Sequence, residues 1–169
     1  MDKFLQSLLV LFNLSDSPLP LKEPSPAPSS VGRIVVEKSK RRLHLWCGEK
    51  VVKTYKVALG KNPIGHKERE GDYRTPEGAY KISGKNPGSQ LHKSVRISYS
   101  NQQDKLAAQQ KSVKPGGDIM IHGLGKEFAA FGKMHRTYDW TQGCIAVTNE
   151  EMDEIYQLTK VGTSIEIKP

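Results

Sequence analysis

The chain of 169 residues has the length of one domain and carries a net charge of +8, from 26 Lys and Arg against 18 Asp and Glu. This length allows a hydrophobic core that needs no disulfide bonds. A composition of 36% apolar and 26% charged residues excludes a multi-span membrane protein. The positive charge favours nucleic acid, anionic lipid or an acidic cell-wall polymer as surroundings. Nucleic acid is disfavoured, because basic residues are scattered among acidic ones and aromatic residues do not alternate with them.

The first 30 residues predict an export or anchor segment followed by a linker. Residues 1–14 contain an apolar run that resembles a signal-peptide core of modest strength, although no A-x-A cleavage site follows. An amphipathic or disordered start is the alternative. Residues 15–30 carry prolines among serines, which is typical of an extended spacer. We therefore expect a folded domain over 31–169 in the periplasm or cell envelope, with membrane contact only through an uncleaved N-terminal segment.

Within that domain, short β-type runs alternate with polar loops. Three runs, at 33–38, 42–46 and 51–59, are close enough in sequence to predict an antiparallel meander. The long polar stretch at 60–78 is typical of a functional or mobile loop. The other predicted elements are strands at 79–83, 95–99, 118–121, 145–147 and 163–167, a helix at 102–111, and a helix from the capping box of Thr148 and Glu151 to Lys160. The sequence therefore predicts a mostly β fold with a few short helices.

Two residues near the ends of predicted strands indicate cysteine chemistry. Cys144 precedes a short apolar strand, and His122 ends another. A nucleophilic cysteine needs such a thiol and a base that keeps it as a thiolate. Each residue also has a purely structural explanation, as a small buried thiol or as a hydrogen-bonded histidine at a strand end. Cys47 lies in a predicted turn with no catalytic pattern around it, and we expect no chemistry there.

Backbone groups next to this pair complete the predicted site. Since no Asp or Asn lies nearby to orient the imidazole, the carbonyl of Gly123 is the candidate for that role. The successive amides of Gln142, Gly143 and Cys144 can converge on one point as an oxyanion hole. Such an arrangement suits acyl transfer.

Further residues near Cys144 or on the 60–78 loop are candidates for binding a peptide substrate. Guanidinium groups bind carboxylates, and aromatic faces bind apolar groups. Surface charge and core packing are the alternative explanation, and packing is favoured for Trp140. A zinc site of His66, His122, His135 and Cys144 lacks the spacing of known zinc motifs, so we expect no metal and no cofactor. The candidates are Tyr73, Arg74, His135, Arg136 and Tyr138, with His135 also considered as a second base.

Taken together, these segments resemble the catalytic domain of L,D-transpeptidases, the YkuD family of bacterial cell-wall enzymes. The resemblance runs from Arg33 to Ile167 and is carried by VALG at 57–60, GDYRTPEG at 71–78, IMIHG at 119–123 and TQGCI at 141–145. It implies a β-sandwich fold with a few helices, a cysteine acyl-enzyme on Cys144, and no cofactor. The implied substrate is a peptidoglycan stem peptide, and the implied process is cell-wall crosslinking or remodelling.

Two positions depart from the family pattern. Many members carry His or Lys at the position of Gln142, and Arg or Asn at that of Ala146, so the substrate-carboxylate contact is expected to differ here. The segments 139–141 and 148–151 resemble a subgroup that includes hydrolases able to detach protein from peptidoglycan. An L,D-carboxypeptidase or amidase acting on the same bonds, with a wall-linked protein as partner, therefore stays open beside the transferase. A non-catalytic wall-binding module that uses the positive charge is the third alternative.

Overall fold

The computed structural model describes residues 30–169, and the predictions for residues 1–29 lie outside this range. Short strands dominate the described part, which confirms the predicted mostly β class. None of its helices has the length and apolar character needed to cross a bilayer. The elements are β1 Arg33–Glu37, β2 Arg42–Cys47, β3 Lys50–Lys56, β4 Gly78–Ser89, β5 His92–Ile97, α1 Gln102–Gln110, β6 Met120–His122, a 3₁₀ segment Ala129–Thr137, β7 Ile145–Ala146, α2 Asn149–Leu158 and β8 Ser164–Lys168.

The strands form one curled sheet in the order β3-β2-β1-β8-β4-β5-β6-β7. The pairs β1 with β8 and β6 with β7 are parallel, and the other pairs are antiparallel. Strand β4 joins the two halves, because residues 78–81 pair with β8 and residues 82–89 pair with β5. A bridge between Ala58 and Ala146 connects the chain just after β3 to β7. The two ends of the sheet are thereby brought together beside Cys144.

Alternating apolar residues place the core on one face of the sheet. On β1 and β8 the alternate residues Ile34, Val36, Ile165 and Ile167 are buried, while the residues between them in β8 are exposed. Helix α2 adds a buried face that includes Met152. Burial of each such side chain contributes roughly 1.5–3 kcal/mol. The core therefore fixes the register of the strands that lead to the site.

The predicted capping box at the start of α2 is confirmed. The Thr148 side chain accepts from the Glu151 amide, and the Glu151 side chain accepts from the Thr148 amide. The helix ends at Leu158, two residues before the predicted Lys160, because Thr159 is extended and donates its hydroxyl to the Ile155 carbonyl at 2.6 Å. Such a hydroxyl bond satisfies one of the carbonyls that a helix end leaves unpaired.

The hairpin of β4 and β5 is longer than predicted. Its pairing continues through polar residues at Lys85 with Val95 and Asn86 with Ser94, and it reaches Ser89 with His92. The alternation of apolar residues stops at Ile82, so the pattern does not predict that the strand continues beyond it. The added length brings the hairpin tip against Gly123, where an ideal Cβ would lie 3.1 Å from the Leu91 carbonyl oxygen.

Candidate active site

The parallel pair β6 and β7 brings the predicted thiol and imidazole to one face of the sheet. The register pairs Ile121 with Ile145 and His122 with Ala146, so Cys144 lies opposite Met120. Side chains two residues apart on a strand share a face. His122 is therefore diagonal to Cys144 on the same face, at a Cα separation of about 8 Å from the strand spacing and rise. This distance is within reach of two side chains that point toward each other.

The imidazole of His122 is held in place by a backbone contact. Its Nδ1 donates to the Gly123 carbonyl oxygen at 2.7 Å, and this is the contact predicted from the sequence. A neutral imidazole has one proton, so the proton on Nδ1 leaves a lone pair on Nε2. Burial lowers the pKa of His122 below its ordinary 6.5, although the bond to Gly123 works in the opposite direction. The Trp140 ring packs edge-on against the imidazole with centroids 5.9 Å apart.

Cys144 is partly exposed, and its surroundings favour the neutral thiol. Burial raises the pKa of the thiol above its ordinary value, and a hydrogen bond from the Met120 amide opposes that shift. Within residues 30–169 the Sγ hydrogen bond runs to the Asp118 carbonyl at 3.4 Å rather than to His122. Burial disfavours the charged form of each group, which favours a thiol beside a neutral imidazole. The thiolate that we expected from the sequence stays a prediction.

A threonine that the sequence analysis missed fixes the turn before Cys144. The Thr141 hydroxyl donates to the Cys144 carbonyl at 2.7 Å and accepts from the Gly143 amide at 3.1 Å. The Gly143 amide is thus already bound, which removes it from the predicted oxyanion hole. The amides of Gln142 and Cys144 donate to no protein acceptor in the described part of the chain. The T-x-G-C spacing was the signal for this turn, since hydroxyl side chains commonly cap such turns.

Gly143 is required by the close approach of the 60–78 loop. Its φ is +137°, and an ideal Cβ would lie 2.7 Å from the Arg74 carbonyl oxygen and 3.1 Å from the Ile119 side chain. A side chain at this position would have to displace backbone. The loop therefore forms the back wall of the turn that holds Cys144.

A buried ion pair braces this wall. Lys67 Nζ lies 2.8 Å from Asp72, and both side chains are less than a tenth exposed. The Asp72 carboxylate also accepts from the backbone amides of Glu68, Arg69 and Arg74, and these contacts lower its pKa despite burial. Asp72 lies within the GDYRTPEG motif, but the sequence alone did not indicate this role. Four donors on one carboxylate make a rigid loop.

The predicted substrate-binding residues divide into two groups. Tyr73 and Tyr138 are exposed. The guanidinium of Arg136 is bound to Glu151 at 2.9 Å and to the Lys56 carbonyl at 3.2 Å. The Arg74 side chain reaches back to the His66 carbonyl at 3.4 Å. Both arginines thus bind other groups of the protein, whereas the side chains of the two tyrosines are exposed to solvent.

His135 is buried beside Trp140 and is neutral. Its Nδ1 lies 3.5 Å from Trp140 Nε1, and its Nε2 has no hydrogen-bond partner in the described residues. Burial, followed by the charge of Arg136, lowers the pKa of His135 to about 4. His66, the other histidine considered as a metal ligand, is held by Asp104 at 3.0 Å and by the Glu77 amide at 2.8 Å. Residues 30–169 contain no cluster of three or more His, Cys, Asp or Glu placed to hold a metal ion.

Comparison with known protein families shows which family this chain belongs to. The profile of the L,D-transpeptidase catalytic domain, YkuD, matches residues 32–167. The chain belongs to the L,D-transpeptidase (YkuD) family. The resemblance noted in the sequence is thereby confirmed, and family membership supports an enzyme.

Two curated relatives of this L,D-transpeptidase-family chain come from Escherichia coli. Both carry the name "Putative L,D-transpeptidase YafK", one from strain K12 and one from O157:H7, and each is 29% identical over 130 residues. The match covers 73% of this chain and 45% of each relative. The chain thus spans less than half the length of the curated relatives that it matches.

Solved structures share the fold at lower identity. The helical cell shape determining protein Pgp2 of Campylobacter jejuni superposes with a TM-score of 0.64 at 23% identity, covering 86% of this chain and 53% of Pgp2. Bd1075 of Bdellovibrio bacteriovorus gives 0.56 at 22% identity, covering 82% of this chain and 48% of Bd1075. An L,D-transpeptidase from Mycobacterium smegmatis gives 0.53 at 15%, covering 80% of this chain and 58% of the other. The expected L,D-transpeptidase fold is therefore confirmed.

Proposed function

We propose that this chain is a cysteine acyltransferase that acts on peptidoglycan stem peptides in the cell envelope, with Cys144 as nucleophile and His122 as base. One observation carries the proposal. The β6 and β7 register puts the thiol and the imidazole on one face, while Gly123 holds the imidazole proton on Nδ1. The lone pair of Nε2 is then available to the thiol, which a general base requires.

The reaction begins from neutral groups. Rotation of the Cys144 side chain away from Asp118 brings the thiol to His122 Nε2. As the sulfur attacks the carbonyl carbon of the stem peptide, the S–H proton passes to Nε2 and an S–C bond forms. The carbonyl oxygen becomes an oxyanion, for which the amides of Gln142 and Cys144 are the open donors. This avoids a buried ion pair in the resting enzyme.

Collapse of the tetrahedral intermediate gives the acyl-enzyme. The C–N bond breaks, the imidazolium of His122 gives its proton to the leaving amine, and a thioester remains on Cys144. An acceptor amine or water then attacks the thioester carbon and gives its proton to His122, the C–S bond breaks, and His122 returns the proton to the Cys144 sulfur. Transfer to an amine crosslinks the wall, and transfer to water trims it.

Charge and family membership support the substrate class. The net charge of +8 favours an acidic polymer such as the cell wall. The family profile covers residues 32–167, which include every residue assigned here. Tyr73 and Tyr138 are exposed and available to stem-peptide contacts. For Arg136 we propose a positioning role through Glu151, since its guanidinium has internal partners.

Product analysis with purified muropeptides tests this function. We expect 3-3 crosslinked dimers from the wild-type chain, none from Cys144→Ala, and wild-type amounts from the matched control Cys47→Ala. Trimmed monomers without dimers would establish the hydrolase instead. Equal products from Cys144→Ala and the wild type would reject the cysteine mechanism, and binding without any product would identify a wall-binding module.

A further inference from the structure

Apart from Tyr138, the residues of an apolar surface beside the candidate site have no role in the mechanism above. Of the exposed large hydrophobic residues in the described range, four lie on residues 128–138, with exposed fractions of 44% for Phe128, 53% for Phe131, 68% for Met134 and 65% for Tyr138. Contiguous exposed apolar groups mark interaction sites more often than isolated ones do. We therefore expect this segment to contact another molecule.

The four side chains and Trp140 form the walls of a cavity of about 450 Å³, here named the aromatic groove. Phe128 stacks on Trp140 with centroids 5.8 Å apart and contacts Phe131 at 6.0 Å. Rigid aromatic walls favour a bulky apolar group, which gains from both burial and ring contacts. The groove thus selects a large apolar side chain over a small one.

Trp140 links the groove to the candidate base. The same indole that lines the groove packs edge-on against His122 at 5.9 Å. It also lies four residues before Cys144. A chain bound in the groove would therefore lie next to the reacting carbonyl.

Lys61 is the charged group on the groove, and it favours an acidic ligand. The Lys61 ammonium lies 5.5 Å from the Tyr73 ring centroid, a contact with an aromatic face rather than with a carboxylate. His135 also lines the groove, and it is 95% buried with an Nε2 that has no partner in residues 30–169. Since Trp140 Nε1 can only donate, Nδ1 of the neutral His135 accepts and Nε2 carries the proton. The exposed Lys61 ammonium complements a carboxylate, whereas Nε2 of His135 is shielded from solvent and the neutral ring serves as part of the wall.

We infer that the aromatic groove binds a polypeptide segment in which a bulky apolar side chain is followed by a carboxylate. The apolar side chain occupies the walls, and the carboxylate pairs with the exposed Lys61 ammonium. The binding itself does not depend on the proposed function. The role of the bound peptide rests on the proposed function, since the peptide would present a peptide bond or an amine beside Cys144.

Binding of short peptides to the full chain tests the groove. Isothermal titration calorimetry uses the Cys144→Ala chain, so that no reaction consumes the probe. The probes are acetyl-Gly-Phe-Glu-amide, the same peptide with Ala in place of Phe, and the same peptide with Gln in place of Glu. We expect saturable binding of the first, and affinities about tenfold lower for the Ala probe and about fivefold lower for the Gln probe.

Two surface variants assign the binding to the groove. Met134→Glu is expected to weaken the Phe-Glu probe about tenfold, because a carboxylate then faces the ligand carboxylate. The matched control Val161→Glu, at a site 59% exposed and outside the groove, is expected to change the affinity less than twofold. In Lys61→Gln the Glu and Gln probes are expected to bind equally. A thermal melt of each variant confirms that the fold is intact.

Several results would overturn the inference. They are the absence of saturable binding, equal affinity for the Phe and Ala probes, and equal loss in Met134→Glu and Val161→Glu. Sedimentation that shows a dimer abolished by Met134→Glu would assign the groove to a second copy of the chain instead. Since binding is measured without the thiol, failure of the cysteine mechanism leaves this result unchanged. Conversely, if crosslinked products form but no probe peptide binds, the inference about the groove fails and the proposed function stands.

Discussion

The turn and strands around Cys144 differ from the aromatic groove in how their side chains are held. Around Cys144 the polar groups are buried and internally bonded, as in His122 with Gly123 and Thr141 with the Cys144 carbonyl. In the groove four of the five large apolar side chains are 44% to 68% exposed. The difference separates two tasks. Chemistry depends on groups that cannot move without cost, whereas recognition depends on side chains that the fold does not need.

The largest effect on this contrast is expected from removal of the base. His122→Ala should lower the turnover of muropeptides by about 10²- to 10⁴-fold, because the thiol then has no proton acceptor. The matched control is His44→Ala on β2, a histidine bound to Glu37 and Thr54 away from Cys144. Initial rates of product formation measure both. Equal losses in the two variants would mean that the effect is one of folding.

A single methyl group in the back wall is expected to have the next largest effect. Gly143→Ala combines a positive φ with a clash against the Arg74 carbonyl, so it should lower the free energy of unfolding by about 2–4 kcal/mol. Gly162→Ala is the matched control, since Gly162 has φ +92° and no atom within 4 Å of an added Cβ. Denaturant unfolding measures both. A loss in Gly143→Ala no larger than that in Gly162→Ala would show that the wall yields.

The pH dependence of alkylation tests the neutral resting pair. Burial raises the pKa of Cys144, so less thiolate is present at any given pH and iodoacetamide should react slowly at neutral pH. We expect the rate at Cys144 to rise only above the ordinary thiol pKa of about 8.5. Peptide mapping after alkylation separates Cys144 from Cys47. A rate plateau below pH 7 at Cys144 would indicate a resting thiolate beside a charged imidazole.

The smallest effect is expected in the groove. Met134→Ala removes more atoms than Gly143→Ala adds, yet Met134 is 68% exposed and should change the free energy of unfolding by less than about 0.5 kcal/mol. The same denaturant experiment measures it. A loss comparable to that of Gly143→Ala would mean that the groove is part of the core, and the contrast between the two regions would disappear.

Local patterns in the sequence were sufficient for much of the fold and for selecting the two side chains that we propose as reactive. Alternation predicted strand β8, and the spacing of Thr148 and Glu151 predicted the start of α2. Cys144 and His122 each stand next to a short apolar run in the sequence. These features are readable because the forces that cause them act between neighbours in sequence.

Contacts between distant segments could not be predicted in this way. The Arg136 guanidinium was expected to meet substrate, but Glu151 on α2 binds it. The Gly143 amide was expected to meet the oxyanion, but the Thr141 hydroxyl takes it. The thiol was expected as thiolate, but its ionisation depends on burial by residues from several strands. Each difference has the same origin, which is competition from a partner or an environment that only the folded chain supplies.

The most direct test of the proposed chemistry is the position of the acyl group on the wild-type chain. The chain is incubated with a tetrapeptide stem, quenched in acid, digested and mapped by mass spectrometry. We expect a thioester on the peptide that contains Cys144, with the mass of the stem less its terminal residue. An adduct on Cys47, or turnover with no adduct on Cys144, would contradict the account.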